Sequence, residues 1–160
     1  ETFPAMEAAI AGARKFIHME FFIIRDDALG HKIGGLLMEA ARRGVKVRVL
    51  YDAVGSWSLK ASFVKELEEA GVECRSFMPV SLPLFRRKMN FRNHRKILVV
   101  DRRVAFTGGI NIGEEYEGKG HLGLCALRAR RCRRCTRYSF TTGACAPRTI
   151  PPRSARILTS

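Results

Sequence analysis

The feature that most constrains the fold is a repeated alternation of helical and strand-like segments. Apolar residues recur at helical spacing in one type of segment, and β-branched and aromatic residues form the other. The sequence predicts three units, each a helix followed by a strand: 4–15 with 16–24, 29–43 with 45–50, and 59–70 with 72–77. Gly44 and Gly71 close the second and third helices. This alternation implies right-handed crossovers and predicts an α/β fold, a mixed and mostly parallel sheet flanked by helices.

The pattern changes after residue 77. Residues 78–91 mix prolines, bases and apolar residues, and we interpret them as a loop. Two short apolar runs follow, 95–100 and 104–107, joined by three polar residues, which predicts a hairpin with a tight connection. Gly108 and Gly109 come next, where a backbone without Cβ atoms can approach a ligand closely. We therefore expect the chemistry of the chain at this hairpin.

Charge divides the chain into two parts. The 160 residues carry a net charge of +14, but residues 119–160 hold ten of the 29 Lys and Arg and none of the 15 Asp and Glu. Four of the five cysteines also lie there. No run of about eighteen apolar residues exists, so the sequence predicts no membrane span. We interpret residues 1–118 as one folded domain and residues 119–160 as a disordered basic tail.

The hairpin begins with a motif suited to phosphate chemistry, His94-x-Lys96-x-x-x-x-Asp101. On a strand, His94 and Lys96 point to the same face, so a neutral imidazole could attack phosphorus while an ammonium stabilises the non-bridging oxygens. Asn111, across the hairpin, could donate to the same oxygens. Asp101 falls on the opposite face, which suits an ion pair or a turn better than direct chemistry.

The whole string around this motif resembles the first catalytic motif of the phospholipase D superfamily, and in particular bacterial cardiolipin synthases. The resemblance includes Asn93 before the histidine, the paired glycines Gly108 and Gly109, and the run from Gly109 to Tyr116. Upstream segments agree with it and extend it over residues 5–118: 42–45, Asp52 with Gly55 and Ser56, 70–72, and Phe77 with Pro79.

The resemblance implies transphosphatidylation without a metal or another cofactor. His94 would attack the phosphodiester of phosphatidylglycerol, or act as the general-acid counterpart, with Lys96 and Asn111 binding phosphate. It further implies an anionic phospholipid at a membrane surface as partner, with nucleic acid an unlikely one. The location implied is the bacterial inner membrane, peripheral on this segment, or the cytoplasm if the fragment is expressed alone. The family needs two such motifs, and this chain has one, so the second half is missing or supplied by a homodimer.

We assign no function to the tail, residues 119–160. Cys132 and Cys135 have C-x-x-C spacing, but no second such pair exists to complete a zinc site. Arg, Cys, Ala and Pro enrichment without acids is typical of a GC-rich gene translated in the wrong register. When permissible codons are chosen for residues 128–146 and the register is shifted, a sequence that looks like the expected cardiolipin synthase continuation can be obtained. We interpret the chain as frameshifted after about residue 123. The acidic residue that orients the motif histidine in the family would then be missing, and we expect the chain alone to be inactive.

Several alternatives stay open. Glu20, an acid within an apolar strand, could line the site or be a paired structural carboxylate. The basic loop 82–91 could contact anionic lipid or lie in solvent. A single-motif phosphodiesterase or nuclease active as a homodimer is the competing enzyme, and a basic nucleic-acid-binding module would rest on the tail.

Overall fold

The computed structural model describes residues 2–77 and 93–118, and the backbone of two later strands. The predicted loop 78–91 and the remainder of the tail lie outside the described residues. The elements follow in chain order: α1 Thr2–Ala11, β1 Phe16–Phe21, α2 Ala28–Arg42, β2 Lys46–Asp52, α3 Ala61–Glu69, β3 Glu73–Phe77, β4 Lys96–Val100, β5 Val104–Gly108, a 3₁₀ turn Glu114–Tyr116, β6 Leu124–Arg131 and β7 Tyr138–Gly143.

These strands form one sheet in the order β3-β2-β1-β4-β5-β6-β7. The β1–β2 and β2–β3 pairs are parallel, and each later pair among the described strands is antiparallel. The predicted α/β class and mixed sheet are confirmed. The parallel pairs are confined to β1, β2 and β3, however, because helical crossovers connect these strands, whereas β4 and β5 are joined by a hairpin.

The core lies where the helices meet the sheet. Helix α2 packs against α1, α3 and β2, and α3 packs against β3. Along β1, Ile17, Met19 and Phe21 are buried in this core, while the alternate residues His18 and Glu20 lie on the other face of the sheet. Burial of alternate residues in this way fixes the register of the central strand.

Local sequence signals account for the helix ends. The Asp27 carboxylate caps α2 by accepting from the Gly30 N–H at 2.8 Å. Gly44 and Gly71 follow α2 and α3 with φ of 85° and 94°, a backbone conformation that residues other than glycine rarely adopt. Their predicted role in closing the helices is confirmed. Among the described helices, all are too short or too polar to cross a bilayer.

Strand β1 is shorter than predicted, ending at Phe21 rather than at residue 24. The next residues leave the sheet to pair with the segment after β5. Ile24 forms a parallel bridge with Ile112, and the Ile112 N–H donates to the Ile23 carbonyl at 3.1 Å. This pairing of residues 23–24 with Ile112 fixes the position of Asn111, the residue before Ile112. Helix α1 also ends earlier than predicted, at Ala11 instead of residue 15.

Two segments of the predicted disordered tail form strands, which corrects the sequence analysis for these residues. β6 pairs with β5 from Gly108↔Leu124 to Val104↔Arg128, and β7 pairs with β6. Strand pairing uses backbone groups that every non-proline residue carries, so it needs little side-chain periodicity. The open edge of β5 supplies the unpaired donors and acceptors that such a segment can join.

Candidate active site

The candidate site lies at the edge of the sheet where β1 and β2 end. Lys96, the first residue of β4, pairs with Phe21, the last residue of β1. Asp52 is the last residue of β2, and its carboxylate accepts from the N–H of Asn93, the residue before His94. Ligands of open α/β sheets commonly bind at the carboxyl ends of the parallel strands.

His94 and Lys96 meet at one aromatic ring, that of Phe22. The His94 ring stacks on it with centroids 4.1 Å apart and an interplanar angle of 19°. The Lys96 Nζ lies 5.3 Å from the same ring's centroid and donates to the His94 carbonyl at 2.8 Å. Burial lowers the pKa of the Lys96 ammonium, because desolvation disfavours its charged form. The two side chains therefore lie on one side of the chain, with the His94 ring exposed.

Asn111 is held by the neighbouring backbone. Its side chain is buried, its Oδ1 accepts from the Ile23 N–H at 3.2 Å, and its Nδ2 donates to the Tyr116 hydroxyl at 3.0 Å. His94 and Asn111 thus contact consecutive residues, Phe22 and Ile23. The amide Nδ2 carries two hydrogens, and one of them is donated to the Tyr116 hydroxyl.

The paired glycines connect this asparagine to the hairpin. Gly108 is the last residue of β5, and Gly109 is exposed. The chain then turns inward, because Ile110 is buried in the core. The glycines thus carry the backbone from the end of a strand to the buried Asn111.

Asp101 lies at the opposite end of β4. Its carboxylate accepts from the backbone N–H groups of Arg14, Lys15 and Phe16 at 2.8, 2.7 and 2.9 Å. Partial burial opposes ionisation, but these three donors outweigh it and hold the pKa of the Asp101 carboxyl below its ordinary value. Asp101 therefore ties the α1–β1 connection to the hairpin turn and is not brought together with His94 and Lys96.

Asn93 fixes the backbone next to His94. Its N–H donates to the Asp52 Oδ2 at 3.3 Å, and its side-chain Nδ2 donates to the Glu20 Oε1 at 2.7 Å. The Arg95 N–H closes a turn around His94 by donating to the Asn93 Oδ1 at 3.3 Å. Glu20 also lies 3.6 Å from the Arg95 guanidinium. Glu20 thus borders the motif through its neighbours.

The connection after β2 seats Phe22. The Ser56 hydroxyl donates to the Phe22 carbonyl at 3.3 Å and accepts from the Ile24 N–H at 3.0 Å. A Cβ at Gly55 would lie 2.3 Å from that same carbonyl oxygen, so only glycine allows the approach. The fully buried Asp52 holds this connection by accepting from the Val54 and Gly55 N–H groups, each at 2.9 Å.

Sequence reasoning missed the roles of Phe22, Tyr116 and Asp52. Phe22 is an aromatic residue near the end of the predicted strand 16–24, which was a usable signal. Nothing local predicts that the His94 ring would stack on it. The combination of an imidazole, an ammonium and an amide at one edge suits a phosphate group, which offers an electrophilic phosphorus and anionic oxygens.

Comparisons with known proteins agree with this chemistry. The family model described as "Cardiolipin synthase, PLD-like domain" matches residues 6–118. The cardiolipin synthase of Geobacillus kaustophilus is 52% identical over 119 residues, and that of Halalkalibacterium halodurans is 50% identical over 119 residues. Each match covers 74% of this chain and 24% of the relative, so the chain spans about a quarter of the length of these relatives.

Solved structures share the fold. Nuc from Salmonella typhimurium, a phospholipase D family member, aligns with a TM-score of 0.54 and 22% identity over 72% of this chain and 68% of its own. NucT from Helicobacter pylori aligns with a TM-score of 0.55 and 17% identity, covering 71% and 69%. At these identities the likeness concerns the fold alone. The family match over residues 6–118 decides the assignment: the chain belongs to the cardiolipin synthase-type, phospholipase D-like domain family.

Proposed function

We propose that this chain supplies the first catalytic half of a phosphatidyltransferase of the cardiolipin synthase type, acting on phosphatidylglycerol through a phosphohistidine. The observation that carries the proposal is the meeting of His94 and Lys96 at the Phe22 ring, one residue from the backbone that holds Asn111. Membership of a cardiolipin synthase family supports the choice of a phospholipid substrate.

In the first step the neutral His94 imidazole attacks the phosphorus of one phosphatidylglycerol. A nitrogen–phosphorus bond forms, the bond to the glycerol oxygen breaks, and a general acid protonates that oxygen so that glycerol leaves. Lys96 and Asn111 stabilise the charge on the non-bridging oxygens. In the second step a hydroxyl of another phosphatidylglycerol attacks the phosphorus, gives its proton to the same group, and displaces His94 to form cardiolipin.

The general acid is the missing component of this scheme. The chain contains one H-x-K-x-x-x-x-D motif, so the second group comes from another half or from another copy. General acid catalysis is commonly worth about 10² to 10⁴ in rate. The 160-residue chain alone is therefore expected to convert little or no phosphatidylglycerol.

A chimaera tests the function directly. Residues 6–118 would replace the matching segment of the Geobacillus kaustophilus cardiolipin synthase, which supplies the remaining three quarters of the protein. We expect this chimaera to form cardiolipin and release glycerol, and the His94→Gln chimaera to form none. The proposal would be rejected if the His94→Gln chimaera formed cardiolipin. It would also be rejected if the chimaera that keeps His94 were inactive although it folds and inserts normally.

The same proposal assigns the two parts of the chain. Residues 1–118 are the catalytic half-domain, and residues 119–160 are a frameshifted continuation; the family match, which ends at residue 118, supports this division. Sequencing the coding DNA tests it. A shifted reading frame containing a second H-x-K-x-x-x-x-D motif is the expected result, and an uninterrupted frame without one contradicts it.

The segment would act peripherally at the bacterial inner membrane, where its anionic phospholipid substrate lies. Fractionation of cells that express the tagged chain tests this location. Recovery with inner membranes, from which salt releases the chain because attraction between bases and anionic lipid is screened, would support this location. Recovery in the cytoplasm would support the other location, that of the fragment expressed alone.

A second candidate is a phospholipase D-family phosphodiesterase or nuclease whose site is completed by a homodimer. It is favoured by one observation: Nuc from Salmonella typhimurium, a phospholipase D family member, aligns with this chain over 68% of its own chain. Gel filtration combined with a diester-cleavage assay separates the two. A stable dimer that hydrolyses DNA or a simple phosphodiester supports this candidate, whereas an inert monomer supports the phosphatidyltransferase half.

A further inference from the structure

The Tyr116 hydroxyl is bonded to the side chain of Asn111, the amide in the candidate site. It accepts from the Asn111 Nδ2 at 3.0 Å. Tyr116 ends the 3₁₀ turn that begins at Glu114, and its half-buried ring packs against the core. Asn111 is only 5% exposed, so its amide depends on protein groups for its hydrogen bonds and hence for its orientation.

Two contacts determine how the Asn111 amide is turned. The Ile23 N–H can only donate, so the atom that faces it at 3.2 Å must be the amide oxygen, Oδ1. The Nδ2 therefore lies on the other side of the amide, where the Tyr116 hydroxyl accepts one of its two hydrogens. Because an amide group is planar, these two contacts together fix the direction of the second hydrogen. Within residues 2–77 and 93–118, that hydrogen has no acceptor.

The turn that carries Tyr116 is bonded to the connection between β1 and α2. The Arg25 Nε donates to the Glu115 carboxylate at 3.0 Å, and the Glu114 N–H donates to the Asp27 Oδ2 at 2.8 Å. Asp27 is also the residue that caps α2. The Tyr116 hydroxyl is therefore placed by the start of a helix that packs in the core.

The same connection places the other contact of the amide. Ile23 belongs to it, and the Ile112 N–H donates to the Ile23 carbonyl at 3.1 Å. The Arg25 N–H in turn donates to the Ile112 carbonyl at 2.9 Å. Asn111 thus lies between an N–H and a hydroxyl that are both fixed to one connection. An amide held in this way needs no reorientation when charge develops nearby.

We propose that Tyr116 is a positioning residue, which directs the second Nδ2 hydrogen of Asn111 to a non-bridging oxygen of the substrate phosphate. This inference rests on the proposed function, because it takes Asn111 to be a phosphate-binding group. Tyr116 acts through Asn111 and does not itself touch the substrate. Since charge on the non-bridging oxygens must be stabilised in the transition state, loss of this orientation should lower kcat more than it changes KM.

One measurement on the purified 160-residue chain tests the orientation without catalysis. The chain contains three asparagines and no glutamine, so its nitrogen–proton spectrum holds three side-chain NH2 groups, those of Asn90, Asn93 and Asn111. In Tyr116→Phe, the Asn111 NH2 resonances should shift and the Ile23 N–H should exchange faster with solvent, because the amide is free to turn. Asn93 belongs to a different hydrogen-bond network, so its NH2 resonances should stay unchanged.

A double-mutant cycle in the chimaera tests whether Tyr116 acts through Asn111. Tyr116→Phe keeps the packed ring, and we expect kcat to fall about five- to tenfold, roughly the value of one hydrogen bond, with KM changed less than about twofold. In the Asn111→Ala background, the same substitution should change kcat less than about twofold, because no amide remains to be oriented. Asn111→Ser, which keeps a side-chain oxygen, replaces Asn111→Ala if the latter does not fold.

Tyr51→Phe is the matched control, since it removes the hydroxyl of another half-buried tyrosine that packs against the core, and kcat should stay unchanged. Unchanged Asn111 resonances in Tyr116→Phe would overturn the proposal, and so would an unchanged kcat. An equal loss of kcat with and without the Asn111 amide would also overturn it, because it would indicate a purely structural role. An inactive parent chimaera rejects only the proposed function, and the resonances of the 160-residue chain then decide whether Tyr116 orients Asn111.

Discussion

The two ends of β4 hold the same motif in different ways. At the Lys96 end, the His94 ring is exposed and rests on Phe22. At the other end, the Asp101 carboxylate is bonded to three backbone N–H groups from the α1–β1 connection. A string that looks like one functional unit in the sequence thus contains groups placed for chemistry and a group placed for structure.

The largest expected effect is at the reactive end. In the chimaera, His94→Gln should abolish cardiolipin formation, because an amide cannot replace the imidazole as nucleophile. Since the side chain is exposed, the free energy of unfolding of the isolated chain should change by no more than about 0.5 kcal/mol. Thin-layer analysis of products and urea unfolding measure the two quantities. A large loss of stability would mean that the two ends of β4 are less distinct than the structure indicates.

At the structural end the expected pattern is reversed. Asp101→Ala should lower the free energy of unfolding by about 2 to 3 kcal/mol, because three N–H groups lose a charged acceptor. Asp101→Asn is the matched variant, since Asn also tolerates the φ of 53° and keeps one acceptor oxygen, whereas it loses the charge and the second acceptor oxygen. Both variants should keep an intact His94 environment, measured by the ring resonances of His94. A shift of those resonances as large as that caused by Asn93→Ala would contradict the separation.

The stabilisation by Asp101 should depend on pH. The folded state lowers the pKa of this carboxyl from 3.8, so the contribution is present above about pH 4 and is lost as the pH falls through the lower, folded-state value. The difference in unfolding free energy between the parent chain and Asp101→Asn should therefore shrink in acid. Urea melts at a series of pH values measure this, and a difference that grows below pH 4 would be the wrong sign.

Asn93 offers a smaller effect that sharpens the comparison. Asn93→Ala removes the hydrogen bonds that its side chain donates to Glu20 and accepts from the Arg95 N–H, but it does not change the His94 side chain itself. We expect the chimaera to lose about tenfold in kcat, since misplacing a reacting group by a small distance is costly. Replacing Glu114, an exposed acid outside this network, by Gln is a suitable control. A loss confined to KM would point to substrate binding instead of histidine positioning.

The smallest expected effect comes from the tail. The buried core residues that the structure describes all lie between Phe3 and Ile112, so deleting residues 119–160 leaves the core intact. The melting temperature should fall by a few degrees, which corresponds to a loss of roughly 1 kcal/mol in the free energy of unfolding. Because β5 loses its partner β6, the truncated chain should also aggregate more readily. Complete unfolding of the truncated chain would show that the later strands are essential to the fold.

The sequence predicted those parts of the fold that depend on local patterns. The helix and strand alternation, the closing glycines Gly44 and Gly71, and the tight hairpin all follow from spacing and residue type within a few positions. The predicted roles of His94, Lys96 and Asn111 stay predictions, although the structure places all three along one short stretch, Phe22 to Ile23.

What could not be predicted depends on contacts between distant segments. Strand β1 was predicted to run to residue 24, because nothing local shows that Ile24 leaves the sheet to pair with Ile112. The role of Asp52 beside Asn93 links positions 41 apart. Strands β6 and β7 were missed because backbone pairing at an open edge leaves little trace in the side-chain pattern.

The place of β1 within the sheet has a consequence for how the chain forms. β1 is a central strand that precedes its neighbour β4 in the chain, and the Phe16 N–H finds its acceptor on Asp101, 85 positions later. At ordinary rates of translation, the edge of β1 that β4 covers would stay unpaired on the ribosome for on the order of ten seconds. The nascent chain is therefore most exposed to misassociation before Val100 emerges, and chaperone dependence should be strongest in that interval.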